Sequence, residues 1–184
     1  MTRTRNRIGL VVALVALLAS VSVGPALART FHDPLHDAAY SKTTGTLKTR
    51  MDISRVVVTN AKRVKFTMRF HHLTKYNFVD RGRLNLAIDT KKKHDGPEYR
   101  IAGKFGNIRY QKHGHSGWHN AGCRGGKVTL SFTHSRITFN LRRACIDDPH
   151  RIRVRLVSGW INWKGYQTWD VFPNHRHWTH WVHR

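Results

Sequence analysis

Val64, Phe66, Met68 and Phe70 alternate with Arg63, Lys65, Thr67 and Arg69. Successive side chains fall on opposite faces only in an extended chain, so this segment reads as a strand with one apolar and one cationic face. The same beat returns at Leu84, Leu86 and Ile88, and at Tyr99, Ile101 and Phe105 with Gly103 in the series. It recurs at Val128, Leu130 and Phe132, at Ile137, Phe139 and Leu141, and at Ile152, Val154 and Leu156. An earlier strand covers about Ile53 to Thr59, and Asn60-Ala61 turns it into the strand beginning near Lys62. Thr133 to Ser135 joins a further hairpin, whereas Asp95-Gly96-Pro97 and Gly125-Gly126 break the pattern. These signals predict an all-β fold, an antiparallel β-sandwich of jelly-roll type with about 7–9 strands.

The remaining stretches lack this beat. Positions 29–50 read as a polar lead-in, 106–124 as a Gly- and His-rich loop with a short strand near Ile108, and 159–184 as a Trp- and His-rich tail. Positions 51–184 form one β-sandwich domain on this reading, and the 40% hydrophobic content is enough for a packed core.

The start of the chain reads as an address. Arg3, Arg5 and Arg7 precede the almost wholly apolar run from Ile8 to Val23, and Ala26-Leu27-Ala28 follows Gly24-Pro25. A charged start, a short apolar centre and an A-x-A site predict a secretory signal peptide over residues 1–28. An uncleaved anchor is the competing reading, but the 16-residue run is short for a bilayer span. Cleavage after Ala28 predicts a secreted chain with no transmembrane segment. It removes three Arg and no acid from a net charge of +23, leaving +20. Cys123 and Cys145 are the only cysteines. In an oxidising compartment they are expected to form a disulfide, with a metal pair or free thiol as the alternative.

Thirty-three Lys and Arg against ten Asp and Glu make attraction to polyanions unavoidable at low salt. With the apolar set inward, Arg63, Lys65 and Arg69 line the outside of one strand, Arg136 and Arg142 another, and Arg151, Arg153 and Arg155 a third. Three cations at i, i+2 spacing make a ridge about 13 Å long, suited to a repeating anion. Arg predominates, and its planar fork pairs bidentately with phosphate or carboxylate. The candidate polyanion-binding set is therefore Arg63, Lys65, Arg69, Arg151, Arg153 and Arg155, facing an anionic polymer or polysaccharide, with nucleic acid only non-specifically. The plainer alternative is a solvated basic surface.

Trp160 and Trp163, beside Gly159 and Gly165, are candidates for an exposed aromatic platform, while Trp178 and Trp181 suit docking of the tail on the sandwich. His113, His115 and His119 make a candidate zinc trio, because imidazole is a good zinc ligand and His113 and His115 share a side of an extended chain. Asp89, Asp95 and Glu98 lie near one turn and suggest calcium, opposed by Lys91-Lys92-Lys93. Asp147 and Asp148 precede Pro149 and read as turn residues. Gly114-His115-Ser116-Gly117 lacks the spacing of a nucleophile elbow, and the sequence contains neither a P-loop nor a dinucleotide fingerprint.

Several pieces carry a resemblance. They are Asp52-Ile53 before an alternating strand, Leu86-Ala87-Ile88-Asp89-Thr90, Gly96-Pro97-Glu98-Tyr99, Leu141-Arg142-Arg143-Ala144-Cys145-Ile146 with Pro149, and Asp170…Pro173…Trp181-Val182-His183-Arg184. Over most of Asp52 to Arg184 the chain resembles a family of uncharacterised secreted actinobacterial proteins. The layout is similar, more weakly, to carbohydrate-binding and DOMON-like sandwiches. The first resemblance implies secretion and no established activity. The second implies ligand binding on a sandwich, with no ligand residue to carry over. Taken together, the sequence predicts a secreted non-catalytic binding protein for an anionic or carbohydrate polymer at the cell envelope. A His-based extracellular metal-binding protein and a small secreted hydrolase are the alternatives.

Overall fold

The computed structural model describes residues 28–34, 39–40, 51–75, 82–91, 93, 96–104, 107–161, 167–173 and 177–184. Residues 1–27 of the expected signal peptide, Trp163 and Asp95 lie outside the described residues. Among the described residues the strands are β1 (Ala28–His32), β2 (Ala39–Tyr40), β3 (Ile53–Asn60), β4 (Arg63–Phe70), β5 (Gly82–Asp89), β6 (Tyr99–Lys104) and β7 (Asn107–Gly114). They continue with β8 (Gly117–Asn120), β9 (Lys127–Ser131), β10 (Arg136–Arg142), β11 (Arg151–Ile161), β12 (Gln167–Phe172) and β13 (Val182–His183). A short 3-10 helix, Arg143–Ile146, joins β10 to β11.

The strands form an antiparallel two-sheet sandwich. One sheet has the order β1-β3-β4-β10-β9. The other runs β2-β12-β11-β5-β6-β7-β8, with β13 beside β11. The chain therefore changes sheet on either side of β2, between β4 and β5, between β8 and β9, and between β10 and β11. The period-two apolar sets meet between the sheets. Val56, Val58, Val64, Phe66, Met68, Ile137 and Phe139 come from the first sheet, and Leu86, Ile88, Tyr99, Ile152, Val154 and Leu156 from the second. Burying each of these large apolar side chains stabilises the fold by roughly 1.5–3 kcal/mol before ordering costs.

There are more strand segments than the expected 7–9 because three stretches without a clean apolar beat still pair. The lead-in supplies β1, an edge strand whose Phe31 packs against the core. The stretch read as a loop is the β7–β8 hairpin, closed at Gly114 opposite Gly117. Ile108 and Tyr110 point inward there, but Lys112 and Gly114 end the apolar alternation early.

The tail returns to one edge of β11. Phe172 of β12 pairs with Leu156 and Val182 of β13 with Ile152. Between them, the Thr179 N–H donates to Val154 O at 3.0 Å, and Thr179 Oγ1 accepts the Val154 N–H at 2.9 Å. Cys123 and Cys145 form a disulfide with a Cα–Cα distance of 5.3 Å, tying the β8–β9 connection to the short helix. Beside that helix, buried Arg143 donates to Asn60 Oδ1, Pro149 O and Asp148 Oδ1. Asn60 Nδ2 donates to Val182 O at 3.1 Å, so one polar network holds the β3–β4 turn, the β10–β11 connection and the last strand. Among the described residues no helix is long and apolar enough to cross a membrane.

Candidate functional site

The outer face of the five-stranded sheet is built by register. Arg69 lies directly opposite Arg55 on one side and Arg136 on the other. Lys65 lies opposite Thr59 and Asn140, and Arg63 opposite Arg142. On the edge strand, Lys127 lies opposite Asn140. Between these two cationic bands runs a neutral row, Thr30, Val57, Thr67, Thr138 and Thr129. The outward-facing cations are thus Arg55, Arg63, Lys65, Arg69, Lys127, Arg136 and Arg142, and the five strands contain no Asp or Glu.

Like charges directly opposite in a sheet destabilise it by roughly 0.2–1 kcal/mol per pair. Here Arg55, Arg69 and Arg136 sit side by side, and the ion pairs among the described residues involve other side chains. Arg63 is held in place by uncharged acceptors. Its Nε donates to Asn140 Oδ1 at 2.6 Å and its Nη2 to Gly125 O at 2.7 Å. Gly125 has φ +77°, a backbone conformation that favours glycine.

The structure separates the six cations that the sequence grouped. Arg63, Lys65 and Arg69 share this face, whereas Arg151, Arg153 and Arg155 belong to β11 in the other sheet and point to the opposite side of the sandwich. Arg153 pairs with Asp89 at 2.6 Å, and its guanidinium lies 4.7 Å from the Trp181 ring centroid and 5.3 Å from that of Trp178. Arg151 lies 4.9 Å from the Trp181 centroid. Arg151 and Arg153 of this ridge therefore seat the tail. Arg55 and Lys127 escaped the sequence reading. A bulge between Ile53 and Arg55 slips the alternation of β3 by one, so Arg55 reads as out of step. Lys127 occupies the outward phase one position before Val128.

Other candidates are redistributed. Trp160 was expected to be exposed, but it is only 6% accessible, because it continues the inward phase of Ile152, Val154 and Leu156. Its platform partner Trp163 lies outside the described residues. The His trio does not converge, and the described residues contain no group of three His, Cys, Asp or Glu able to hold a metal. The cause is the hairpin. His113 lies opposite Trp118, and His119 opposite Lys112 on the other phase, so His113 and His119 project to opposite faces. The His113 and Trp118 rings meet edge-on with centroids 5.1 Å apart.

Two of the three expected calcium carboxylates, Asp89 and Glu98, have other partners. Asp89 accepts from Arg153 and from Lys91 N–H at 3.0 Å. Glu98 accepts the Thr90 N–H at 2.8 Å and its hydroxyl at 3.1 Å. Asp147 and Asp148 are turn residues with φ +57° and +47°. Asp147 accepts from Tyr99 Oη and, at 3.0 Å, from Lys112 Nζ. The Tyr99 hydrogen bond chiefly, and Lys112 with it, holds the Asp147 carboxyl below its ordinary range. Burial first, and then Asp147, pushes the Tyr99 hydroxyl above its ordinary value.

No protein-family model matches the chain, and no curated protein matches it at a level that carries weight.

Proposed function

We propose that this chain is a secreted, non-catalytic binding protein for an anionic polymer, which docks on the outer face of the five-stranded sheet. The supporting observation is that acid-free face, on which Arg55, Arg69 and Arg136 stand side by side despite their mutual repulsion. Strand spacing of about 4.8 Å and i, i+2 spacing of about 6–7 Å give a grid of donors, which a chain of repeated anions meets at several points. Such contacts release counterions, so binding weakens with salt but outlasts diffuse attraction.

The test compares two variants that remove the same charge. One is Lys65→Gln, Arg69→Gln and Arg136→Gln; the other is Lys62→Gln, Lys93→Gln and Arg184→Gln, at exposed positions off the grid. Binding of the full chain to long-chain polyphosphate is measured in 150 mM salt, where the screening length is about 8 Å. The face variant should lose about tenfold in affinity, equivalent to about 1.4 kcal/mol, and the control far less. Equal losses would mean that the basic surface acts only through its total charge, and the proposed site would be wrong.

A further inference from the structure

The opposite face of the sandwich is shaped differently. Across the second sheet, one register line runs Trp169, Gly159, Arg83, Lys104 and Asn107, one residue from each of five adjacent strands. Four inter-strand steps make this line about 19 Å long. It crosses a groove of about 700 Å³ that Asn85, Arg109 and Gln111 also line. The floor is low because Gly159 and Ala102 bring almost no side chain to it. At Gly103, with φ +146°, a Cβ would collide with the Asn107 carbonyl, so the turn from β6 into β7 at the end of the groove needs glycine.

The groove walls combine two chemistries. Arg83 faces Lys104 directly, and Arg109 stands on the diagonal from Lys104, so three cations cluster. Among the described residues no carboxylate lines the groove. At one end Trp169 is 38% exposed, and its neighbour across the ladder is Gly159, which leaves part of the indole open to the groove. Asn85, Asn107 and Gln111 supply amides. Arg109 Nε donates to Asn107 Oδ1 at 3.2 Å, which orients that pair.

We propose that this groove is a second binding site, for a segment of acidic polysaccharide of the uronate class. The open part of the indole offers a stacking surface for the apolar face of a sugar ring. Amides suit ring hydroxyls, and the cation cluster suits carboxylates spaced along the chain. Single-stranded nucleic acid is disfavoured, because successive bases need successive aromatic platforms and, among the described residues, this groove exposes one indole. The site shares no residue with the cationic grid, so it does not depend on the function proposed above.

The test titrates the full chain with oligogalacturonate, dextran and oligo-dT in 150 mM salt, following tryptophan fluorescence and calorimetric heat. Oligogalacturonate should bind most tightly. Trp169→Ala and the double change Arg83→Gln with Arg109→Gln should each cost about tenfold in that affinity. Lys65→Gln, Arg69→Gln and Arg136→Gln should leave it unchanged. Should Trp169→Ala lower the melting temperature, the outward Arg83 and Arg109 changes decide alone. The proposal is overturned if dextran or oligo-dT binds as tightly, if the double change leaves affinity intact, or if the grid variant loses as much.

Discussion

Arg153 sets its guanidinium 2.6 Å from the carboxylate of Asp89, which is entirely shut off from solvent. The two residues are also direct neighbours in the ladder, at the ends of β11 and β5. Two tail indoles lie against the same guanidinium, those of Trp178 and Trp181. One arginine thus neutralises a buried charge and seats the last segment of the chain.

Arg153→Ala should be among the most damaging single changes, because it leaves the Asp89 carboxylate buried without its cation. Removing one partner of a buried pair costs about 3 kcal/mol. Asp89→Asn should cost less, since the amide keeps an acceptor for the Lys91 N–H. Urea denaturation of both variants checks the order; equal losses would contradict this assignment.

Trp178→Ala and Trp181→Ala should each lower stability by about 1–2 kcal/mol, combining a lost cation–π contact with lost burial. Retention on polyphosphate should not change, because neither indole is near the five-stranded sheet's outer face. Thermal melting and a binding titration on the same preparations separate the two effects.

The bridge from Cys123 to Cys145 spans 22 residues and should contribute about 3 kcal/mol through the unfolded chain. Cys123→Ser with Cys145→Ser, compared with the oxidised parent by urea denaturation, should show that loss. A difference below about 1 kcal/mol would mean that the connection is already fixed by its hydrogen bonds.

Asp147 has a folded-state carboxyl held below its ordinary range, first by Tyr99 and then by Lys112. Its stabilisation is therefore complete above the unfolded value of about 3.9 and is lost as pH falls through the lower folded value. Asp147→Asn should flatten the fall in stability below about pH 4 and lower stability at neutral pH. Tyr99 and Tyr110 have raised hydroxyl values, chiefly through burial, so their contribution persists below about pH 10 and declines as pH rises further. Denaturation midpoints measured across pH check both limbs.

Much of the pleated body was legible because alternation is local. Phe66 turns inward and Lys65 outward whatever the partner strand. The reading failed where local and tertiary preferences part. Arg55 hides behind a bulge, and Trp160, flanked by Gly159, looks exposed although its phase points to the core. The hairpin carrying His113 and His119 looked like a loop, because its polar inward residues give no apolar signal.

The sequence by itself determined the phase of the strands with a clean apolar alternation, and with it which of their side chains line the core and which stand outside. Only the tertiary structure decided that Arg69 would stand between Arg55 and Arg136, while Arg153 would be closed in by Asp89 and the tail. Strand pairing joins residues far apart in the chain, and its register is set by how two apolar faces interlock rather than by any short run of residues.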